Sequence, residues 1–414
     1  MKRVVITGMG ALTPLGNSVK EFWENAIRGQ SGADQITKFD TTHFKTKFAC
    51  EVKNFAPETY LEKNEIKRSD LFTQYAIYAA TEALQDSGLE VAAMSPFDIG
   101  VIWGTGQGGM LTFEEEVGGY ISNGRKPHFS PFFVPKLISN MASGMISLKF
   151  GLMGINYTTV SACATSNTAI MDAYNYIRIG KAKAIISGGS ESPVTQSSIG
   201  GFNAMRAMST NNDNPKEASR PFDQDREGFV MGEGAGALVL EEYEHAKARG
   251  AKIYAEMVGA SMTADAYHIS ATHPDGLGAA KAMELALEEA GHHPDDVDYL
   301  NTHATSTPVG DISEINAVRK VFGDAPERLK VSATKSMTGH LLGAAGAIEG
   351  ILCIKAIQES VIPPTINTSK IDAQIPQSIQ IVTKEAIQQK VNLAMSNTFG
   401  FGGHNAIVIF KKVS

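Results

Sequence analysis

Short apolar runs alternate along the chain with longer stretches in which apolar residues recur every three or four positions. That alternation predicts strands followed by amphipathic helices. Residues 2–7 read as a strand and 18–28 as a helix. Ser69 is placed to cap a helix running to about residue 86, with Leu71, Tyr75, Ala76, Ala79 and Leu84 roughly on one face. Residues 99–103 form a strand that ends in Gly104-Thr105-Gly106-Gln107-Gly108-Gly109. A strand at 157–162 leads into a helix at 164–179, and a buried strand at 184–187 again ends at a Gly-Gly pair.

The second half repeats the alternation. Strands are expected at 237–240, 253–258, 299–302 and 330–333, with helices at 279–290, 312–321 and 341–358. Residues 392–397 and 405–410 read as an antiparallel pair joined by the turn at 400–403. Strand and helix alternating in both halves imply an α/β protein whose sheets are covered by helices. The shared element order suggests that one half duplicates the other, as 1–250 and 251–414. Residues 30–66 are irregular and long enough for a functional excursion or cap, and the Asn-, Asp- and Pro-rich stretch 209–219 is a surface loop.

Composition narrows the class. The chain has 414 residues, 43% hydrophobic and 20% charged, which is globular rather than disordered. Its net charge of −7 gives no global basic field for nucleic acid or an anionic membrane. No apolar run approaches the ~20 residues of a membrane span. The start, Met1-Lys2-Arg3-Val4-Val5-Ile6-Thr7-Gly8, has too short an apolar stretch for a signal peptide and reads as a first buried strand. Three scattered cysteines argue against a disulfide scaffold and for a reducing cytoplasm.

One of those cysteines stands out. Cys163 follows a strand and opens a helix in Ser161-Ala162-Cys163-Ala164-Thr165, where the positive end of the helix dipole favours thiolate and a sharp turn exposes the side chain. Cys50 and Cys353 read as packing. Two histidines occupy comparable positions: His303 directly follows a strand, and His340 in Lys335-Ser336-Met337-Thr338-Gly339-His340 does so at a helix start. The carboxyl ends of strands are where open α/β sheets place their ligands. His43, His128, His245, His292 and His293 read as surface groups, with His268 undecided. No CxxC or HxxxH spacing supports zinc, so no metal site is expected. The glycine-rich stretches match neither G-x-G-x-x-G nor a P-loop, so they serve close backbone approach or N–H donation rather than nucleotide binding.

Taken together, several motifs carry a resemblance over almost the whole chain. They are Val4-Val5-Ile6-Thr7-Gly8-Met9-Gly10, Ser130-Pro131-Phe132-Phe133-Val134-Pro135, the segment 223–236, Ser306-Thr307-Pro308-Val309-Gly310-Asp311, Lys335 through Ala344, and Phe399-Gly400-Phe401-Gly402-Gly403. The chain resembles the elongating cysteine–histidine–histidine β-ketoacyl-acyl-carrier-protein synthases, most closely the type II enzymes. The resemblance implies a thiolase-like five-layered α/β/α/β/α fold of two similar halves, usually a homodimer. It implies that Cys163 takes the acyl chain from its carrier thioester, and that His303 and His340 hold the malonyl thioester oxygen while CO2 leaves. In the same way Lys335 is a supporting lysine, and Phe401 a gate whose N–H joins that of Cys163 in an oxyanion hole. Thr305 and Thr307 match threonines that hold the phosphopantetheine arm. The implied partner is acyl carrier protein, with no metal or redox cofactor.

Three positions depart from the family pattern. His303-Ala304-Thr305 replaces His-Gly-Thr, His404 stands where threonine is common, and Gln107 replaces an apolar residue of the acyl pocket. Gln107 is therefore expected either to cap that pocket or to face the subunit interface, with Phe133 and Val134 reaching in from the partner. An acidic carrier docking on this acidic chain calls for a local basic patch, for which Lys63, Lys67, Arg68, Arg125, Lys126 and Arg206 are the candidates. A degradative thiolase would need a second cysteine in the C-terminal glycine loop, and Gly402-Gly403-His404 has none. A chain-length-factor-like partner subunit would lack the nucleophile, which is present. A polyketide-type or aryl-polyene synthase of the same chemistry remains as the alternative pathway.

Overall fold

The computed structural model describes residues 1–413. Ten strands make the main sheet: β1 Val4–Leu12, β2 Ile99–Gly104, β3 Asn156–Thr159, β4 Ala184–Glu191, β5 Gly234–Glu242, β6 Ala255–Ala264, β7 Tyr299–Asn301, β8 Lys330–Ser332, β9 Leu393–Gly400 and β10 His404–Lys411. Their spatial order is β8-β7-β9-β10-β6-β1-β5-β4-β2-β3.

Two copies of one pattern lie in that order. Reading outward from the centre, the first half runs β1-β5-β4-β2-β3 and the second β6-β10-β9-β7-β8, each strand offset by five. The polarities repeat as well: two antiparallel pairings, then two parallel ones, on each side. Among the strands of the main sheet, the halves pair where residues 4–6 of β1 meet residues 255–257 of β6. The duplication that the element order hinted at is therefore explicit in the topology.

Helices fill three layers. Leu71–Ser87 and Met141–Phe150 pack on the outer face of the first half, around Trp103, Val101, Ile186 and Val239. Leu277–Ala290 and Pro308–Phe322 cover the outer face of the second, around Leu300, Met395 and Ile409. Thr165–Arg178 and Ala345–Glu359 lie between the halves in one cluster with side chains of both. The sheets are thus buried on both faces, which is why β1, β4 and β9 read as near-continuous buried runs rather than alternating ones. The expected α/β/α/β/α layering holds.

Two local expectations shift. Asp70, not Ser69, caps Leu71–Ser87: its carboxylate accepts the Phe72 N–H, while Ser69 terminates the preceding helix Lys63–Arg68 and donates to the Glu65 carbonyl. The irregular excursion 30–66 is tied into the body. Its Lys38 pairs with the buried Glu233, which also accepts the Val52 N–H, and Phe48 and Cys50 are buried.

No helix among the described residues is long and apolar enough to cross a membrane.

Candidate active site

Cys163 sits in a one-turn 3-10 segment, Ala162–Ala164, between β3 and the helix Thr165–Arg178. The chain enters the turn through Ala162 at φ +50°, a left-handed angle that costs a non-glycine residue on the order of 1 kcal/mol or more. Hydrogen bonds hold that geometry. The Thr165 hydroxyl accepts the Ser161 N–H at 2.8 Å and donates to the Ala162 carbonyl at 2.6 Å, and the Ser161 and Thr168 hydroxyls lie 2.8 Å apart. The β9–β10 turn presses against this elbow. A Cβ on Gly400 would lie 2.6 Å from the Ser161 carbonyl oxygen, so only glycine allows the approach. The backbone N–H groups of Phe401 and of Cys163 itself lie beside the sulfur and favour its anion.

The thiol is not the dipole-favoured thiolate that its position predicts. Burial pushes it up to about 12, and the nearby Lys335 and the two N–H groups only partly offset this. Desolvation outweighs the helix end because the sulfur lies in a closed site rather than at an open terminus. The resting group is a neutral thiol. Cys50 and Cys353 are buried with their thiols raised by burial, as packing residues should be.

His303 and His340 meet in the same cavity, of about 290 Å³, whose lining also includes Phe202, Phe229, Phe399 and Phe401. The two imidazoles stand edge to face, ring centroids 5.2 Å apart at 87°. His340 is braced by the Phe229 ring at 5.6 Å and by backbone bonds to Val230 and Gly232. The His303 and Ala304 N–H groups donate to the buried Glu314 carboxylate at 3.0 and 2.8 Å. Burial and the Lys335 charge hold both rings well below the usual histidine range, so both are neutral at pH 7. Each Nδ1 is buried with no partner among the described residues, so each ring keeps hydrogen-bonding capacity in reserve.

Lys335 is buried, and its ammonium donates to Glu349 at 2.5 Å. It is the cation that acts on Cys163, His303, His340, Glu314 and Glu349 together. Burial lifts both Glu314 and Glu349 to about 7. Glu191, also fully buried, gathers the N–H groups of Gly106, Gln107 and Gly343 and the Thr105 hydroxyl, which fixes the glycine turn after β2 against the segment that follows His340. These three glutamates escaped the sequence reading. Their signal was an acid within a buried run, as in Gly-Gly-Ser-Glu191, or flanked by small and apolar residues, as in Ala347-Ile348-Glu349-Gly350-Ile351.

Thr305 and Thr307 line the cavity with their hydroxyls 3.2 Å apart. Arg206 lies at the same cavity, exposed. Lys63, Lys67 and Arg68 share the helix Lys63–Arg68, and Arg125 and Lys126 follow the helix Met110–Ser122; all five are exposed. Gln107 is not part of the cavity lining: its amide oxygen accepts the Ser198 hydroxyl at 2.8 Å, which turns it toward the helix Gln196–Ala204. Phe133 and Val134 also lie outside the single-chain cavity, on Phe133–Leu137, where Phe133 stacks on Phe129 and Val134 is 60% exposed. His268 proves to be a loop residue whose Nδ1 accepts the Ser270 and Ala271 N–H groups. No cluster of three or more histidine, cysteine or acidic side chains suited to a metal ion occurs among the described residues.

Comparison with known proteins points the same way. Residues 1–246 match the β-ketoacyl synthase N-terminal domain and 254–369 the C-terminal domain. A 3-oxoacyl-[acyl-carrier-protein] synthase 2 of Staphylococcus aureus is 51% identical over 411 residues, 99% of this chain and 98% of the relative. A β-ketoacyl synthase from Burkholderia phymatum superposes with a TM-score of 0.92 at 34% identity, covering both chains completely. So does a type II polyketide ketosynthase solved with its acyl-carrier protein, at TM-score 0.89 and 30% identity. By its two matched domains and its near full-length relative, the chain belongs to the β-ketoacyl synthase family.

Proposed function

We propose that the chain extends acyl groups in fatty-acid synthesis. It would condense malonyl-acyl carrier protein with an acyl chain held on Cys163, giving 3-oxoacyl-acyl carrier protein and CO2. The observation that carries this reading is one cavity containing Cys163, with two backbone N–H groups beside its sulfur, and a pair of neutral imidazoles.

Each group has a task. The Cys163 sulfur attacks the carbonyl carbon of the acyl thioester, its proton passing to the departing pantetheine sulfur. A soft sulfur nucleophile suits an exchange between thioesters. The N–H groups of Cys163 and Phe401 hold the oxyanion that forms. Malonyl thioester then enters, and its C–C bond to the carboxylate breaks as CO2 leaves. The electron pair remains as an enolate, whose oxygen accepts one N–H from His303 and one from His340. Imidazoles kept neutral by burial each still carry one N–H to donate. The enolate carbon attacks the acyl carbonyl on Cys163, and the Cys163 sulfur leaves and takes up one proton. Lys335 lies close enough to support the charge that develops, and Thr305 and Thr307 offer hydroxyls to the pantetheine amides. The substrates travel on the carrier's phosphopantetheine arm, and no step calls for a metal or a redox cofactor.

Partners follow from the surface. The basic residues Lys63, Lys67, Arg68, Arg125, Lys126 and Arg206 supply a docking face for an acidic carrier. The edge strand β3 and the exposed Val134, Leu148, Met153 and Val160 supply a self-complementary apolar face for a homodimer. In such a dimer the Gln107–Ser198 hydrogen bond would close one side of the acyl pocket, and Phe133 and Val134 would come from the partner subunit. A cytoplasmic enzyme fits the three reduced cysteines.

The test is product formation. Native protein given acyl-carrier and malonyl-carrier thioesters should release CO2 and 3-oxoacyl-carrier, and Cys163→Ala should release no condensation product. Condensation by pure Cys163→Ala protein would refute the assignment.

A further inference from the structure

The cavity mouth has two walls from distant parts of the chain. One is the segment 227–229, which ends in the Phe229 ring that braces His340. The other is the segment 305–310, which carries Thr305 and Thr307. Where they meet, 227–228 and 305–307 are both irregular, the latter running into the helix Pro308–Phe322. Between the threonines, Ser306 has φ +68°, a left-handed angle that serine does not hold unaided. Gly228 has φ +148°, and a Cβ there would lie 2.6 Å from the Met208 carbonyl carbon.

A single buried side chain joins them. The Arg226 guanidinium donates to the Thr307 carbonyl at 3.0 Å, the Pro308 carbonyl at 2.6 Å, the Asp223 carbonyl at 2.7 Å and the Asp372 carboxylate at 2.8 Å. Its Nε also lies 3.5 Å from the fully buried Asp311, which itself accepts the Phe222 and Thr307 N–H groups. Two backbone bonds complete the joint: Gly228 donates to the Ser306 carbonyl, and Arg220 to the Ser306 hydroxyl. The Asp223 carboxylate takes the Ser369 and Lys370 N–H groups, which brings the 369–372 loop in behind as backing.

We propose that Arg226 is a positioning residue for the pantetheine arm: by tying 227–229 to 305–308 it sets the width of the entrance and the register of Thr305 and Thr307. It touches neither the reacting atoms nor the arm. A rigid planar fork suits the task, because its N–H groups leave in fixed, diverging directions and four acceptors meet them. Lysine offers a single ammonium with three donors and cannot span both walls. The inference rests on the condensing reading above and adds a determinant of how the arm is held.

The test separates arm binding from chemistry and from stability. Condensation on acyl-primed enzyme is measured with malonyl-pantetheine, which carries amides for the threonines, and with the malonyl thioester of ethanethiol, which carries none. Arg226→Lys should lower kcat/KM for malonyl-pantetheine about tenfold through KM, with kcat held within about twofold. It should leave kcat/KM for the ethanethiol ester unchanged. Asp372→Asn, which takes the charge from one partly buried anchor of the guanidinium and leaves the fold's buried charges in place, should give a smaller loss of the same kind. Equal losses on both esters, or a fall in kcat with KM unchanged, would overturn the positioning role. Native enzyme that condenses neither these esters nor malonyl-carrier thioester would overturn the condensing reading instead.

Discussion

The floor and the mouth of the cavity are built on opposite electrostatic terms. At the floor, Cys163, His303 and His340 are titratable groups that burial drives toward their neutral forms, around the one ammonium of Lys335. At the mouth, the Arg226 guanidinium meets four hydrogen-bond acceptors. The difference follows from what each region must do. Groups at the floor must stay free to bond a developing oxyanion or enolate, so neither imidazole spends a ring nitrogen on a hydrogen bond to the described residues. The guanidinium at the mouth has only to hold two segments in place, so four of its five N–H donors are spent on the protein.

The contrast can be broken first at the floor. His303→Ala should cut malonyl decarboxylation about 10²–10³-fold, the usual cost of one oxyanion donor. The same variant should still acylate Cys163, because the N–H groups of Cys163 and Phe401 are untouched. Parallel rate measurements of CO2 release and acyl-enzyme formation check the split. Loss of both, or of neither, would remove the distinction between the two donor sets.

The neutral state of the floor is open to pH. With the thiol raised to about 12, the thiolate fraction at neutral pH is small and grows with each unit of pH. Iodoacetamide alkylation of Cys163 should therefore speed up about tenfold per pH unit from about 7 to 10, with no plateau near the ordinary cysteine value of about 8.5. The histidines titrate in the opposite sense. Their folded pKa values lie below the ordinary one of about 6.5, so the active neutral form persists as pH falls through that value. Decarboxylation should stay flat there and decline only at lower pH. A plateau in alkylation near pH 8.5, or decarboxylation halved near pH 6.5, would contradict the account.

Smaller effects probe the periphery. Gln107→Ile removes the bond to Ser198 and should favour longer saturated acyl chains by about tenfold in kcat/KM if the residue closes the pocket. An unchanged preference across a chain-length panel would assign Gln107 to packing. Charge reversal at Lys67 and Arg68 should weaken carrier binding only about threefold, the scale of exposed ion pairs, and the loss should shrink as salt rises above about 0.15 M. Binding that ignores both changes would move the docking face elsewhere.

Much of this was legible in the chain. The strand–cysteine–helix order located the elbow and a strand end located His303, because periodicity and Gly-rich turns report local structure directly, whereas His340 sits beyond a further short helix, Lys335–Thr338, rather than at the end of the strand Lys330–Ser332. The duplication was faint in sequence yet plain in the offset-by-five strand order, since topology survives when residue identity does not. Two things could not be read. The protonation of Cys163 depends on how deeply the site closes, and a helix start alone gives the wrong sign. Nothing in Asp223-Gln224-Asp225-Arg226 singles out Arg226, because its acceptors at Thr307, Pro308 and Asp372 are contributed by segments 81 to 146 residues away.

The most direct test of the central claim is a mass time course of the native protein. Acyl-carrier thioester is added first and malonyl-carrier second. The account predicts one acyl mass added to the peptide that contains Cys163, stable until malonyl-carrier arrives and then lost as CO2 and 3-oxoacyl-carrier appear together. An acyl mass on another residue, or one on Cys163 that persists while 3-oxoacyl-carrier accumulates, would contradict it.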